Sequence, residues 1–469
     1  MYMNTRIEKD SLGEREVPRE AYYGVQTHRA LENFPISGLR PKPVFIDASV
    51  HIKKAAALVH KSLGLLQDQY ADAIVTAADE VLAGNNREWF VVDVYQAGAG
   101  TSHNMNTNEV LANRANELLG GTRGNYSMVH PNDHVNMAQS TNDVIPTAIR
   151  IASFMSIKPL LRRMDDLKRS FYAKGAEFDH IVKSGRTHLQ DAVPVRLGQE
   201  FTAYGVNMKR HQMAIAHAVE SSRQLGIGGS AAGTGLNVHP EYRSRMVRQI
   251  SEQTLIDFKN AEDYFEAMQS LRPMVELSGA VRNLAQDLSR IASDIRLLSS
   301  GPKTGLAEIN LPPVQPGSSI MPGKVNPVMA EMMNMVCFQV MGCDTTIMYA
   351  AQAGQLELNV MMPVVAYNLL HEIEILTNAI DVFDRFCVKE ITANEERCRM
   401  YAEGSMSIVT VLNPHIGYAA AAEIAKEYLN SGTSIRTLVK EKGLLTDDQI
   451  DEIFDLSNMT EPGIHKSDK

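Results

Sequence analysis

Aromatic side chains are sparse in this chain, 6% of 469 residues with a single Trp, while Met is plentiful at 24 residues. That balance leans toward helix rather than sheet. Cysteine is also scarce. Cys337, Cys343, Cys387 and Cys398 show neither CxxC nor metal-ligand spacing, which fits a reduced, cytoplasmic location. The opening MYMNTRIEKDSLGERE is charged and has no apolar segment of the signal-peptide kind. No apolar run approaches membrane-spanning length, so no membrane partner is expected. Positive charge is in deficit: the formal net charge of −9 argues against nucleic acid or an anionic membrane as main partner. Metal-binding signatures are missing, since the chain has no HExxH and no Cys/His ligand grid. A phosphate loop of the GxxxxGK[ST] type is missing too. GIGGSAAGTG (226–235) follows a predicted helix rather than a strand, which disfavours a dinucleotide fold. No GxSxG elbow accompanies Ser318, which weakens a hydrolase triad.

What remains is a chain with 44% apolar and 22% charged residues, able to bury a real core. Its length suggests about three domains. Residues 1–139 read as a mixed, mostly helical domain, 140–395 as a central long-helix bundle and 396–469 as a small helical domain. Residues 1–47 read as mostly irregular with room for a small hairpin. Helices follow at Asp47–Leu66 and Tyr70–Leu82, and another runs to a stop at Gly120–Gly121. The texture then changes to long helices at Pro146–Phe178, Pro194–Leu225, Ala261–Ser300, Pro327–Ala351 and Val360–Cys387. In the third, Met274, Leu277, Val281, Leu284, Leu288, Ile291, Ile295 and Leu298 alternate spacings of three and four, the rhythm of a seam between helices. Pro273 should kink that helix or shift its start. Segments this long imply a mainly α, elongated bundle whose further apolar faces meet other subunits. Short helices close the chain, with Thr446 a good N-cap, and the tail TEPGIHKSDK reads as frayed.

Polar chemistry gathers in four blocks: GAGTSHNMN (98–106), QSTND (139–143), GRTHLQD (185–191) and QPGSSIMPGKVNP (315–327). Together they offer hydroxyls, amides, one His in each of two blocks, one Lys, and little net negative charge. Such donors suit a small ligand with more than one carboxylate. Each block also has a bland reading. QSTND is a good helix cap, GAGTS is a turn, His188 is a structural histidine, and the last is a Gly/Pro surface loop. That last block runs into a predicted helix, and a Ser-Ser-Lys loop before a helix start favours an anion.

GSSIMPGKVNP, together with QSTND, GRTHLQDAVP, GTGLN and GTSHNMN in the same order, resembles the shared blocks of the aspartase/fumarase superfamily over nearly the whole chain. The flanks RIEKDSLGEREVPREAYYGVQTHRALENFPISG, NPVMAEMMNMVCFQVMG and GQLELNVMMPV resemble its aspartate ammonia-lyase branch. Class II fumarase shares the catalytic blocks and is the close rival. Met362 departs from the branch pattern, where Glu is more usual. A non-catalytic protein on the same scaffold is the reading from another class. Retention of the polar residues of all four blocks argues against it.

The resemblance implies a homotetramer with a twenty-helix core and active sites shared by three subunits. It implies conversion of L-aspartate to fumarate and ammonia by removal of a Cβ proton through an enediolate. Matched residue by residue, Ser318 falls on the catalytic base. Thr101, Ser140, Thr141, His188 and Ser319 fall on the positions that hold the carboxylate beside the reacting carbon. Lys324, Asn326 and Thr187 fall on those for the α-carboxylate, and Asn142, with Thr187 and His188, near the amino group. The N–H groups of Ile320 and Met321 would help stabilise the Ser318 anion, and Glu331 would orient His188. No cofactor is implied, because the carboxylate is its own electron sink. Some relatives respond to divalent metal, and no site for one is evident in the sequence.

Overall fold

The computed structural model describes residues 4–317 and 319–463. The chain is mainly α-helical. It begins with a hairpin, β1 (Thr5–Asp10) and β2 (Gly13–Pro18), then α1 (Val25–Asn33), α2 (Pro43–Ser62), α3 (Asp68–Leu82) and α4 (Thr101–Leu118). The first long helix, α5 (Thr141–Glu177), leads to a second hairpin, β3 (Val182–Thr187) and β4 (Gln190–Arg196), and then α6 (Leu197–Glu220). Next come β5 (Gln224–Leu225), α7 (Tyr242–Thr254), β6 (Lys259–Asn260), α8 (Tyr264–Gln269) and α9 (Arg272–Leu298), with β5 and β6 paired in parallel. After β7 (Ile309–Asn310) run α10 (Val328–Gln352) and α11 (Met362–Phe386). β8 (Thr392–Ala393), antiparallel to β7, precedes the short α12 (Glu395–Gly404), α13 (Asn413–Ser431), α14 (Ile435–Glu441) and α15 (Asp447–Ile453).

Several bounds move from their sequence expectation for identifiable reasons. Pro43 sits at the first position of α2 and starts it four residues early, where a missing N–H costs nothing. The helix expected from Pro146 starts at Thr141, because Ser140 and Asp143 supply hydrogen bonds upstream of the proline. The helix expected from Pro194 starts at Leu197, since Pro194 pairs with Ser184 in the β3–β4 hairpin. The helix expected over 261–300 is two, broken at Ser270–Leu271 so that Pro273 falls in the first turn of α9. α10 and α11 match their expected spans to within two residues. All eight seam residues of α9 are buried. Thr446 caps α15 in a reciprocal capping box with Gln449. The tail is less free than expected up to Glu461, because Arg196 holds Thr460 Oγ1 at 2.8 Å and pairs with Glu461. Residues 464–469 lie outside the described residues. One helix, α5, is long and apolar enough to cross a membrane by length and composition, against expectation. Its apolar window is 67% buried, as in the core helix of a globular fold.

The chain divides into two compact units, residues 1–162, 211–286 and 336–377, and residues 163–210, 287–335 and 378–469. The division falls within each of α5, α6, α9, α10 and α11. In the first unit α2, α3 and α4 enclose an apolar core that includes Val50, Ile74, Phe90, Val110 and Leu111. There Ser278 on α9 donates to Asp344 on α10 at 2.9 Å. In the second unit Phe171 and, just past the end of α5, Phe178 interlock with Phe201 and Tyr204 of α6, mostly edge-on at 5.3–6.5 Å between ring centroids. Asn334 on α10 ties to Ser289 on α9 at 2.8 Å. α12 packs on β3, and α13, α14 and α15 close a separate small core around Leu412, Leu438 and Ile450.

Candidate active site

Thr101 and the QSTND residues belong to the first unit. The turn before α4 needs its glycines. Gly100 has φ +89°, and a Cβ there would press on Ile145 at 3.0 Å. Ala99 is also left-handed, held by its N–H to the Val360 carbonyl at 2.7 Å. This turn presents Thr101 exposed at the start of a helix whose N-cap, Gly100, has no side chain, while Gln96 Oε1 accepts the His103 N–H at 2.8 Å. The helix start favours negative charge nearby. At the start of α5 the Ser140 hydroxyl accepts from the Asn142 N–H at 3.2 Å. Asn142 Nδ2 donates to the Ala231 carbonyl at 2.8 Å. Ser140, Thr141 and Asn142 are half-buried side by side. The cap reading of QSTND is thus correct and does not exclude the functional one.

Beneath that face lies a buried polar network. The Asp143 carboxylate is fully buried and accepts the N–H groups of Ser140 at 3.0 Å and of Gly228 and Ser230 at 2.9 Å. This is what GIGGSAAGTG does here: its backbone wraps a carboxylate. Burial pushes Asp143 up to about 6, against the three N–H groups that favour its ionised form. Lys53, on α2, is fully buried, and burial pushes its amine down to about 7. Its Nζ donates to Asn136 Oδ1 at 2.8 Å and Gln139 Oε1 at 3.0 Å. His103 is a core residue, stacked on Phe45 at 4.6 Å and joined to Ser49 at 2.9 Å; burial pushes it down to about 3.

In the second unit, β3 and β4 are joined by His188 and Leu189 alone, both with positive φ, +55° and +60°. Two consecutive left-handed non-glycine residues are costly. They make the tight turn that exposes Thr187 and His188 at the hairpin tip. The hairpin stands on a buried ion cluster. Glu308, wholly buried, takes Lys183 at 2.9 Å and Arg186 at 3.0 Å, and Lys183 also reaches Glu200 at 2.9 Å.

The loop before α10 is in the same unit. Ser318 lies outside the described residues. Its neighbour Gly317 has no room for a side chain, because a Cβ would run into the Lys324 carbonyl. Asn326 Nδ2 donates to the Gly317 carbonyl at 2.6 Å and closes the loop. Inside it, Met321–Lys324 is a tight turn with Pro322 second and Gly323 third at φ +83°, closed by Lys324 N–H to Met321 carbonyl at 3.2 Å. Ser319, Ile320, Met321 and Lys324 are exposed. Lys324 has no ion-pair partner among the described residues. Pro327 offers its carbonyl to the N–H groups of Ala330 and Glu331 at 3.0 Å, which starts α10. Glu331 sits in the first turn, and no hydrogen bond or ion pair joins it to His188 within the described chain.

The structure therefore groups Thr101 and Ser140–Asn142 in the first unit and Thr187, His188 and Ser319–Glu331 in the second. Lys53, Asn104, Asn136 and Asp143 extend the first group beyond the sequence reading. Asp143 and Asn104 stand inside the motif blocks and were open to notice. Lys53 gave no signal, as a Lys-Lys pair inside an apolar helix reads as solvated. Met362 is wholly buried at the first position of α11.

A long-helix fold whose units each present neutral donors at turns that demand glycine or strain, with Lys324 lacking an ion-pair partner among the described residues, fits a lyase acting on a small dicarboxylate. Residues 13–342 match the family model described as "Lyase", and 408–461 that of the fumarase C C-terminus. Aspartate ammonia-lyase of Bacillus subtilis (strain 168) is 48% identical over 98% of this chain and 97% of its own length. That of Escherichia coli (strain K12) is 48% identical over 98% and 97%. The crystal structure of a Brucella melitensis protein titled fumarate lyase:delta crystallin, bound to cobalt, superposes with TM-score 0.95 at 46% identity, covering 98% of this chain and 100% of that one. Class II fumarase of Schistosoma mansoni gives 0.94 at 38%, covering 97% and 99%. The chain belongs to the aspartate ammonia-lyase family within the aspartase/fumarase superfamily.

Proposed function

We propose that this protein converts L-aspartate reversibly to fumarate and ammonia. The observation that carries the reading is near-complete coverage at 48% identity to aspartate ammonia-lyases. The hard step is loss of a weakly acidic Cβ proton. Its electron pair moves into the neighbouring carboxylate to give an enediolate, then returns to form the double bond as the C–N bond breaks and ammonia leaves. Fixed donors aimed at that carboxylate lower the barrier, because charge on it grows in the transition state. Thr101, Ser140, Thr141, His188 and Ser319 take this role. Lys324, Asn326 and Thr187 hold the α-carboxylate, and Asn142 lies at the amino group. The exposed, unpaired Lys324 supports its assignment. One Asn326 N–H is used inside the loop, which leaves its second for substrate. Ser318 is the base; the N–H groups of Ile320 and Met321, Lys324 and exclusion of water would stabilise its anion.

The working form is a homotetramer in which three subunits supply each site. Met335, Phe338 and Tyr349 on α10 are 60–64% exposed in the single chain, and a partner helix would cover that face. Fumarate hydration is the second reading, favoured by the fold match to class II fumarase. Purified protein supplied with L-aspartate or L-malate distinguishes the two. Fumarate from aspartate is the expected result, and fumarate from malate alone overturns the reading.

A further inference from the structure

The buried network under α5 has a direction, and Lys53 sets it. Charged or neutral, the Lys53 amine has at least two N–H groups, and it donates them to the two side-chain carbonyls beside it, which face it as acceptors. Those are Asn136 Oδ1 and Gln139 Oε1. The amide ends then point away: Asn136 Nδ2 to the Gln139 carbonyl at 3.2 Å, and Gln139 Nε2 to the Val135 carbonyl at 3.0 Å. With Asn136 Oδ1 fixed as an acceptor, the Asn104 atom facing it at 3.2 Å must be the donor Nδ2. The second N–H of that group reaches Thr141 Oγ1 at 3.3 Å. Asn104 is fully buried, and its Oδ1 is left without a partner. An unpaired buried carbonyl costs roughly 1–3 kcal/mol. Turning the amide over would set two oxygens against each other at Asn136, so the cost is locked in by the lysine.

We infer that Lys53, acting through Asn136 and Asn104, is a positioning residue that keeps the Thr141 hydroxyl a donor toward substrate. The Thr141 hydroxyl accepts from behind, and it has no other hydrogen bond among the described residues. Its own hydrogen is therefore directed to the half-exposed side, where the assigned carboxylate would lie. The inference rests on the reading of Thr141 as an enediolate donor. Asn104→Leu and Lys53→Met each remove a link, and Thr141→Val removes the end. The three singles and the two doubles with Thr141→Val are compared in kcat and KM on L-aspartate, with melting temperature and subunit assembly as controls.

Each single is expected to lower kcat by ~10-fold or more, toward the ~10²-fold typical of one lost oxyanion donor, with KM nearly unchanged. In the Thr141→Val background neither Lys53→Met nor Asn104→Leu should lower kcat by more than about 2-fold, the signature of residues acting through one another. If Lys53→Met does not fold, Asn104→Leu carries the test alone. Additive losses, or wild-type kcat in Asn104→Leu, overturn the relay. Wild-type kcat in Thr141→Val overturns the reading of Thr141 beneath it, while turnover of aspartate itself would stand.

Discussion

The start of α5 and the loop before α10 carry similar donors, and they are held in opposite ways. Behind Ser140, Thr141 and Asn142 stand a buried carboxylate, a buried lysine and an amide chain, every one fixed by hydrogen bonds. The loop of Ser319–Lys324 is exposed, and its hydrogen bonds include the one from Asn326 Nδ2 to the Gly317 carbonyl and the turn bond from the Lys324 N–H to the Met321 carbonyl, both within the loop itself. The first region binds its geometry to fold stability. The second can change conformation at little cost to the core. The proposed reaction would draw on both, a rigid surface where charge develops and a loop that closes to exclude water.

Substitutions in the two regions should therefore separate activity from stability. The largest effect belongs to the loop. Ser318→Ala should lower kcat by ~10²–10⁴, the range for a positioned base, with an unchanged melting temperature. Gly317→Ala should also cost much activity and little stability, since its Cβ meets the Lys324 carbonyl in an exposed loop; unchanged kcat/KM would show that the loop adopts another closed form. Lys324→Met should raise KM for L-aspartate roughly 10-fold or more, as a charged hydrogen bond contributes about 1.5–3 kcal/mol. Calorimetry should find it as stable as the native protein. In the rigid region Asp143→Asn should behave differently, losing both kcat and about 1–3 kcal/mol of stability, because an amide cannot accept all three N–H groups. An Asp143→Asn protein with native melting would erase the contrast.

The smallest effect is a pH slope. Burial holds the Lys53 amine down to about 7 from its usual 10.5. Below about 7 it is charged in both folded and unfolded chains, and burial costs most. As pH rises from there the folded chain gives up the proton while the unfolded chain keeps it, so the cost shrinks. The native protein should gain stability relative to Lys53→Met as pH rises above about 7. A parallel pair of melting curves would contradict it.

The same contrast decides what was legible in the sequence. The α9 seam and the cap at Thr446 could be read because periodicity and capping are local. The loop before α10 could be read because Pro and Gly forbid anything else there. The β3–β4 hairpin could not, since its turn uses His188 and Leu189 where Asn-Gly would have announced it. Lys53 was hidden for a related reason. Its partners, Asn136 and Gln139, lie more than eighty positions away, and nothing in the sequence marks them as neighbours.

In the proposed homotetramer the rigid donors of one chain meet the loop of another. Ser318→Ala and Thr141→Val homotetramers, each nearly inactive, can be mixed, unfolded together and refolded, with native protein treated alike as control. If sites draw their parts from several subunits, some reassembled sites will hold both native residues, and activity on L-aspartate will rise well above that of either parent. Activity no greater than the average of the two parents would contradict it.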